Sequence, residues 1–83
     1  MKDSLAIFTY QIMNDLGYRP QDPMDMNIFE QDKGFIVRCF FSQKEDPLSF
    51  PHRYVLCFRI ENEFTYLQLR NIIEKRVLEA LPY

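Results

Sequence analysis

The residues that could support catalysis or metal binding are few and widely spaced. His52 is the only histidine in the chain, and no cysteine or carboxylate stands at a ligand-like spacing from it. Cys39 and Cys57 lack the short Cys-x-x-Cys spacing of zinc sites and redox motifs. The neighbouring acids Glu45 and Asp46 fall in a polar loop, where we expect them to be solvated. We therefore predict no catalytic residue, no cofactor and no metal, and we predict that the protein is not an enzyme.

A second kind of chemistry is carried by three arginines placed among aromatic and aliphatic residues. Arg38 lies in GFIVRCFFS, and both Arg53 and Arg59 lie in HRYVLCFRI. Arginine and aromatic residues are enriched in protein interfaces, and the same residue types stack on bases and neutralise phosphates in nucleic-acid sites. The three arginines are therefore candidate binding residues, and the elements that carry them decide what they can reach.

The two segments around these arginines, 34–42 and 52–60, predict antiparallel strands joined by a wide loop. Side chains alternate between the two faces of a strand, so each segment has one purely apolar set. Burying both apolar sets on one side predicts the register. The predicted pairs are Phe35 with Ile60, Val37 with Phe58, Cys39 with Leu56, and Phe41 with Tyr54. The opposite face then carries Ile36, Arg38, Phe40, Ser42, Arg53, Val55, Cys57 and Arg59.

A first helix is predicted before these strands, over 5–16. Asp3 or Ser4 is expected to cap its start, and Gly17 is expected to end it in a left-handed conformation. The proline-rich stretch that follows Gly17 is predicted to be a connector, because proline disfavours helix. The apolar face of this helix is predicted to contain Leu5, Ala6, Phe8, Tyr10, Ile12, Met13 and Leu16.

A second helix is predicted after the strands, over 66–80. Thr65 and Gln68 have the spacing of a capping box, and Phe64 and Leu69 have the spacing of a hydrophobic staple. The apolar residues of this helix extend further round it than one buried stripe requires. The residues outside the stripe are Leu67, Ile72, Leu78 and Leu81.

A third strand is predicted over 26–30, before the other two. The residues 31–34, Gln-Asp-Lys-Gly, suit a type I turn closed by a glycine bulge. The order is then α-β-β-β-α, and the apolar sheet face needs both helices to cover it. The predicted fold class is a two-layer α+β domain, with a three-stranded antiparallel meander and both helices packed on one face. We expect residues 1–83 to form a single small domain.

The strand face opposite the helices is predicted to bind a protein. It mixes apolar residues with arginine, and the loop before the last strand adds two apolar residues between prolines. We therefore predict a protein-interaction module, acting as an adaptor, an inhibitor or a subunit, that uses this face, the second helix or both. Its partner is expected to be a larger protein or a second copy of the chain. The predicted partner-binding residues are Ile36, Arg38, Phe40, Leu48, Phe50, Arg53, Val55 and Arg59.

The alternative function is nucleic-acid binding through Arg38, Arg53 and Arg59 on the sheet, with Phe40 available for base stacking. The order α-β-β-β-α resembles, in topology alone, that of the double-stranded-RNA-binding domain. The resemblance implies basic residues at the start of the last helix. The sequence there reads ENEFTYLQ, which is acidic, and this departure counts against double-stranded RNA.

Composition limits the class of protein further. The chain has 83 residues, of which 47% are hydrophobic, and a formal net charge of −2, so no overall charge attracts it to nucleic acid or anionic lipid. The first residues lack the small-residue cleavage site of a signal peptide, and no apolar run reaches the ~20 residues of a membrane span. Because the two cysteines are predicted on opposite faces, they cannot form a disulfide. We expect a cytoplasmic protein without membrane contact.

Overall fold

The computed structural model describes residues 2–47 and 52–82, and its elements follow the predicted order with one additional short strand after the first helix. The predicted α+β fold class is confirmed. The helices are α1, Lys2–Asp15, and α2, Tyr66–Ala80. The strands are β1, Tyr18–Pro20; β2, Asn27–Gln31; β3, Gly34–Gln43; and β4, Tyr54–Glu61. A 3₁₀ turn, Pro23–Asp25, lies between β1 and β2.

The sheet is antiparallel and is organised around β3, its longest strand. β4 pairs along one side of β3, while β1 and β2 share the other side. All four predicted pairs between β3 and β4 are present, from Phe35 with Ile60 to Phe41 with Tyr54. This register is selected because a shift by one residue would move the apolar set of one strand to the opposite face.

The short strand β1 lies in the stretch for which the sequence predicts only a connector. It pairs with the last part of β3, where Tyr18 stands opposite Gln43 and Pro20 opposite Phe41. The rings of Tyr18 and Phe41 meet edge to face, with centroids 5.5 Å apart. Three residues are too few for an alternating pattern to be recognised, and Pro20 is tolerated because β1 is an edge strand. The sheet therefore has a fourth strand that the sequence pattern does not reveal.

The turn between β2 and β3 differs from the prediction. Asp32 and Lys33 both have positive φ angles, of 47° and 61°, which is the pattern of a two-residue type I′ hairpin loop. Gly34 is the first residue of β3 and closes no bulge. A Cβ atom on Gly34 would lie 2.7 Å from the carbonyl oxygen of Ile60 and 2.7 Å from Nη1 of Arg59. Glycine is needed at this position because β4 and its side chains approach it closely.

The start of α1 differs from the prediction as well, whereas its end agrees. The helix begins at Lys2, so Asp3 and Ser4 lie within its first turn and the predicted cap is wrong. Gly17 follows the helix with a φ of +94°, the left-handed conformation expected of a glycine that ends a helix.

The buried face of α1 is also turned slightly from the predicted one. Thr9 is fully buried, and its hydroxyl donates to the carbonyl oxygen of Leu5 at 2.8 Å. This local hydrogen bond allows a polar residue to occupy a core position. The predicted burial of Phe8 and Tyr10 is wrong, since each is 37% exposed. The ring of Phe8 meets that of Tyr66 edge to face.

Helix α2 begins with the predicted capping box. The backbone N–H of Gln68 donates to Oγ1 of Thr65 at 3.1 Å, and the backbone N–H of Thr65 donates to Oε1 of Gln68 at 2.9 Å. Phe64 packs against the core and Leu69 is fully buried within it, as the predicted staple requires. Both helices cover the apolar face of the sheet. The core residues on the strands are Phe35, Val37, Cys39, Phe41, Leu56, Phe58 and Ile60.

Over the described ranges, neither helix has the length and apolar character required to cross a membrane.

Candidate functional site

The face of the sheet that the helices leave uncovered, which we call the outer face, carries an apolar strip made of two cross-strand pairs that lie on either side of Arg38. Phe40 on β3 stands opposite Val55 on β4, and their side chains are 40% and 41% exposed. Phe29 on β2 stands opposite Ile36, and the phenylalanine is 57% exposed. Directly opposed side chains touch across antiparallel strands, so each pair forms an apolar patch, and Arg38 lies between the two patches with Asn27 and Cys57 beside it. The outer-face residues of β2, β3 and β4 are Asn27, Phe29, Gln31, Ile36, Arg38, Phe40, Ser42, Val55, Cys57, Arg59 and Glu61.

Phe29 is an exposed outer-face residue that the sequence does not assign to this face. The segment around it is short and polar at its end, so its alternation does not show which side is buried. The pairing of β2 with β3 supplies the missing information, because it places Ile28 opposite the buried Val37 and Phe29 opposite Ile36. A ring more than half exposed at the edge of this strip enlarges the apolar surface beyond the predicted one.

The three candidate arginines differ in what already engages them. Arg59 crosses above Gly34: Nη1 lies 2.6 Å from a carboxylate oxygen of Glu61, and Nη2 donates to the carbonyl oxygen of Asp32 at 2.7 Å. Its guanidinium is therefore occupied within the fold. Arg38 and Arg53 are exposed, and neither guanidinium makes a hydrogen bond or ion pair with any other described residue. These two arginines are the cations that the outer face offers to a partner.

A hollow of about 360 Å³ lies at the end of the apolar strip, beside Phe40 and Arg53. Its far wall is formed by Arg19 and Gln21, whose positions are set by backbone contacts. Arg19 donates to the carbonyl oxygens of Lys44 and Asp46, and Gln21 exchanges two hydrogen bonds with the backbone of Phe40. Ser42, predicted on the outer face, also lines this hollow but is only 8% exposed, because Arg19 on β1 stands opposite it.

The remaining predicted binding residues lie at or beyond the edge of this surface. Arg53 immediately precedes β4, which begins at Tyr54, two residues later than the predicted segment 52–60. Leu48 and Phe50 lie outside the described residues. Of the predicted binding residues, Ile36, Arg38, Phe40, Arg53 and Val55 lie together on or beside the outer face, where Phe29 joins them. Arg59 is engaged within the fold.

The second helix offers a less continuous surface. Leu67 and Leu78 are 65% and 55% exposed, so the predicted surplus of apolar residues on α2 is present. The two side chains are eleven positions apart, which is about 16 Å along the helix axis. Asn71 and Glu74 occupy the positions between them on the same side of the helix. A partner would meet two leucines about four turns apart on α2, whereas the sheet presents adjoining apolar side chains.

The two cysteines lie on opposite faces of the sheet, as predicted. Cys39 is 2% exposed, and burial raises the pKa of its thiol to about 12, with a smaller contribution from the proximity of Cys57. Cys57 is exposed at the centre of β4, on the outer face. The accessible thiol therefore reports on coverage of the outer face, and the buried one reports on opening of the core.

The polar residues considered for catalysis are not gathered into a site. Asp46 forms a turn at the end of β3, where its carboxylate accepts from the backbone N–H of Gln43 at 3.3 Å, while Glu45 is exposed. His52 is exposed just before β4. Within residues 2–47 and 52–82, no three residues among His, Cys, Asp and Glu are close enough together to hold a metal ion.

Comparison of the chain with protein-family models, with curated proteins and with solved structures found no match in any of the three.

Proposed function

We propose that this protein is a small interaction module that binds a protein partner through the outer face of its sheet. The observation that carries the proposal is the apolar strip, in which the exposed pair Phe40–Val55 and the pair of exposed Phe29 with half-buried Ile36 lie on either side of Arg38. Arg53 lies at one end of the strip, and neither arginine side chain has a partner among the described residues. Surfaces that combine exposed aromatic and aliphatic side chains with arginine are typical of interfaces.

Covering this surface would contribute favourably to the free energy of association. Burial of apolar surface is worth about 25 cal/mol per Å², so covering a few hundred Å² yields several kcal/mol before the costs of association. The hollow beside Phe40 gives a partner's side chain a place to insert, and anchored side chains account for much of the affinity in known interfaces. A partner with carboxylates around an apolar centre would match Arg38 and Arg53 in charge.

The cytoplasmic location expected from the sequence belongs to this proposal. Cys39 and Cys57 cannot pair with each other because they project from opposite faces of the sheet, and an exposed unpaired thiol such as Cys57 is compatible with a reducing compartment. In such a compartment the protein would act as an adaptor, an inhibitor or a subunit of a larger assembly.

Nucleic-acid binding remains the second candidate because Arg38 and Arg53 flank an exposed aromatic ring, Phe40. Two observations weaken it. Arg59, the third predicted phosphate contact, is occupied by Glu61 and by turn carbonyls, and the chain as a whole carries a net charge of −2. If this candidate is right, retention on immobilised single- or double-stranded RNA or DNA will fall steeply with salt, because neutralised phosphates release counterions.

The experiment that tests the proposal is the capture of partners by the Phe40→Asp variant in an extract of the cells that make the protein. Phe40 points outward, so the substitution places a charge in the apolar strip without disturbing the core. Leu67→Asp is the matched control, since Leu67 is also an exposed apolar residue but lies on the first turn of α2, where an acidic residue is favourable.

We expect the wild type and Leu67→Asp to retain the same protein, and Phe40→Asp to lose it while keeping the wild-type circular dichroism and urea midpoint. Retention of the same partners by Phe40→Asp would refute the assignment of the outer face. A Phe40→Asp variant that fails to fold would show that Phe40 belongs to the core and that the faces are inverted.

A further inference from the structure

The outward edge of β4 is a second unpartnered surface, distinct from the outer face. Among the described residues, β4 pairs with β3 alone, while the other side of β3 is occupied by β1 and β2. β4 spans eight residues, Tyr54–Glu61, contains no proline, and pairs with β3 in an unbroken register without a bulge. Proteins ordinarily interrupt or cover a long, regular edge strand, because it can pair with another chain.

The hydrogen bonds identify the backbone groups that this edge offers. The N–H of Asn62 donates to the carbonyl oxygen of Lys33 at 3.0 Å, so these two opposed residues form a hydrogen-bonded pair. Such pairs alternate along an antiparallel ladder, which directs the backbone groups of residues 54, 56, 58 and 60 toward β3. Phe40, which stands opposite Val55, is consistent with this alternation. Its N–H and carbonyl form hydrogen bonds with Gln21 on the side of β3 away from β4, so neither group bonds to Val55. The backbone groups of residues 55, 57, 59 and 61 therefore point to the open edge.

A second copy of the chain can pair with this edge in a register that opposes unlike charges. A two-fold axis perpendicular to the sheet keeps both outer faces on the same side, and centring it on Cys57 places Val55 opposite Arg59 of the second copy. The same register places Arg53, which lacks a partner among the described residues, opposite Glu61 of the second copy. Centring the axis on residue 56 instead would oppose Arg53 to Arg59, which bear like charges.

The apolar side of the same edge has room for the second copy. A hollow of about 670 Å³ opens between β4 and α2, and its apolar lining includes Ile60, Phe64 and Ile72. In the register centred on Cys57, Tyr54 of the second copy stands opposite Ile60 on the inner face. Its ring would therefore enter the hollow, and the two-fold axis would repeat this contact.

We propose that two copies of this chain pair through their β4 strands, antiparallel and about a two-fold axis at Cys57. The pairing adds about six backbone hydrogen bonds within the two β4 strands, and about four more where Arg53 extends the ladder to Glu61 of the other copy. It joins the two sheets into one. It leaves Phe40 uncovered, and it places both outer faces on the same side of the joined sheet. This proposal does not rest on the proposed function, because the edge and the outer face are different surfaces.

The test is analytical ultracentrifugation of charge-reversed variants over a range of concentrations. In Arg53→Glu and in Glu61→Arg, residue 53 of each copy has the same charge as residue 61 of the other copy, so the dimer contains two repulsive contacts. We expect the dimer dissociation constant of each variant to rise about tenfold or more over the wild type. An equimolar mixture of the two variants restores opposite charges at both positions and should dimerise as the wild type does. Circular dichroism of each variant verifies the fold.

Cross-linking with a short bis-maleimide tests the register. Cys57 lies on the axis and should link two copies, whereas Cys39 is buried and should not react. The matched control is Val55→Cys combined with Cys57→Ser, in which the two thiols would stand about 14 Å apart along the strands. Equal cross-linking of the control and the wild type would overturn the register.

A wild type that stays monomeric at the highest concentration would overturn the dimer, as would charge reversals without effect on dissociation. Phe40→Asp separates the two proposals. It should abolish partner capture and leave the dimer intact. If it instead dissociates the dimer while Glu61→Arg does not, the copies associate through their outer faces and the β4 pairing is refuted.

Discussion

The buried thiol of Cys39 makes a prediction about alkaline stability that can be worked from the structure. Burial raises its pKa from 9.0 to about 12, so between these values the unfolded chain has lost this proton while the folded chain keeps it. The unfolded state then binds fewer protons, and the free energy of unfolding must fall as the pH rises through this window. Each pH unit within this window lowers the free energy of unfolding by up to about 1.4 kcal/mol, and the whole window lowers it by roughly 4 kcal/mol.

The assay is urea unfolding from pH 8 to 11, with Cys39→Val as the matched control. Valine fills a similar volume without titrating, so the tyrosines and lysines that also titrate contribute equally to both proteins. The stability of the wild type relative to Cys39→Val should be constant below about pH 9 and should decline above it. A difference that stays constant to pH 11 would refute the desolvation of Cys39.

Brief alkylation at pH 8, read by mass spectrometry, tests the same placement independently. Cys57 should be modified in the folded protein, whereas Cys39 should be modified only after unfolding in urea. The raised pKa alone reduces the thiolate fraction of Cys39 about a thousandfold relative to the unfolded chain, and burial excludes the reagent as well. Equal protection of both thiols in a monomer, or a disulfide between them, would contradict the sidedness of the sheet.

Three substitutions test the local structure through the urea midpoint. Thr65→Ala removes the capping hydrogen bond to Gln68 and should cost about 1 kcal/mol; an unchanged midpoint and slope would mean that α2 begins elsewhere. Leu69→Ala should cost roughly 2–5 kcal/mol, because Leu69 is fully buried. Gly34→Ala should cost roughly 1–3 kcal/mol, because its Cβ would lie 2.7 Å from the carbonyl oxygen of Ile60; a neutral effect would show that β4 can move away.

The strand register and the capping box could be predicted because strong local rules leave one solution. Only one pairing of β3 with β4 buries both apolar sets, and few sequences other than a capping box combine the spacing of Thr65 and Gln68 with a staple. The type of the turn at Asp32 and Lys33 could not be predicted, because neither residue demands a positive φ and the nearby glycine is also typical of a bulge. Glycine is instead required at position 34 because β4, which is distant in sequence, packs closely against it.

Part of the outer face could be predicted from the alternation of side chains along the strands. Phe40 and Val55 follow from alternation, but the exposure of Phe29 depends on which strand β2 pairs with, and the engagement of Arg59 depends on the turn carbonyl of Asp32. Contacts between residues distant in the chain carry no local signal. The open edge of β4 likewise follows from the strand order, which places β1 and β2 on the far side of β3.

The most direct test of the central claim, that the outer face binds a partner, is the reactivity of Cys57 in the protein's own cell extract. Cys57 lies on this face beside Phe40 and Val55, and it should be modified rapidly in the purified protein. In the extract we predict that wild-type Cys57 is protected from brief alkylation, and that Phe40→Asp removes this protection. Equal modification of Cys57 in the extract and in the purified protein would contradict the account, because it would mean that nothing covers the outer face.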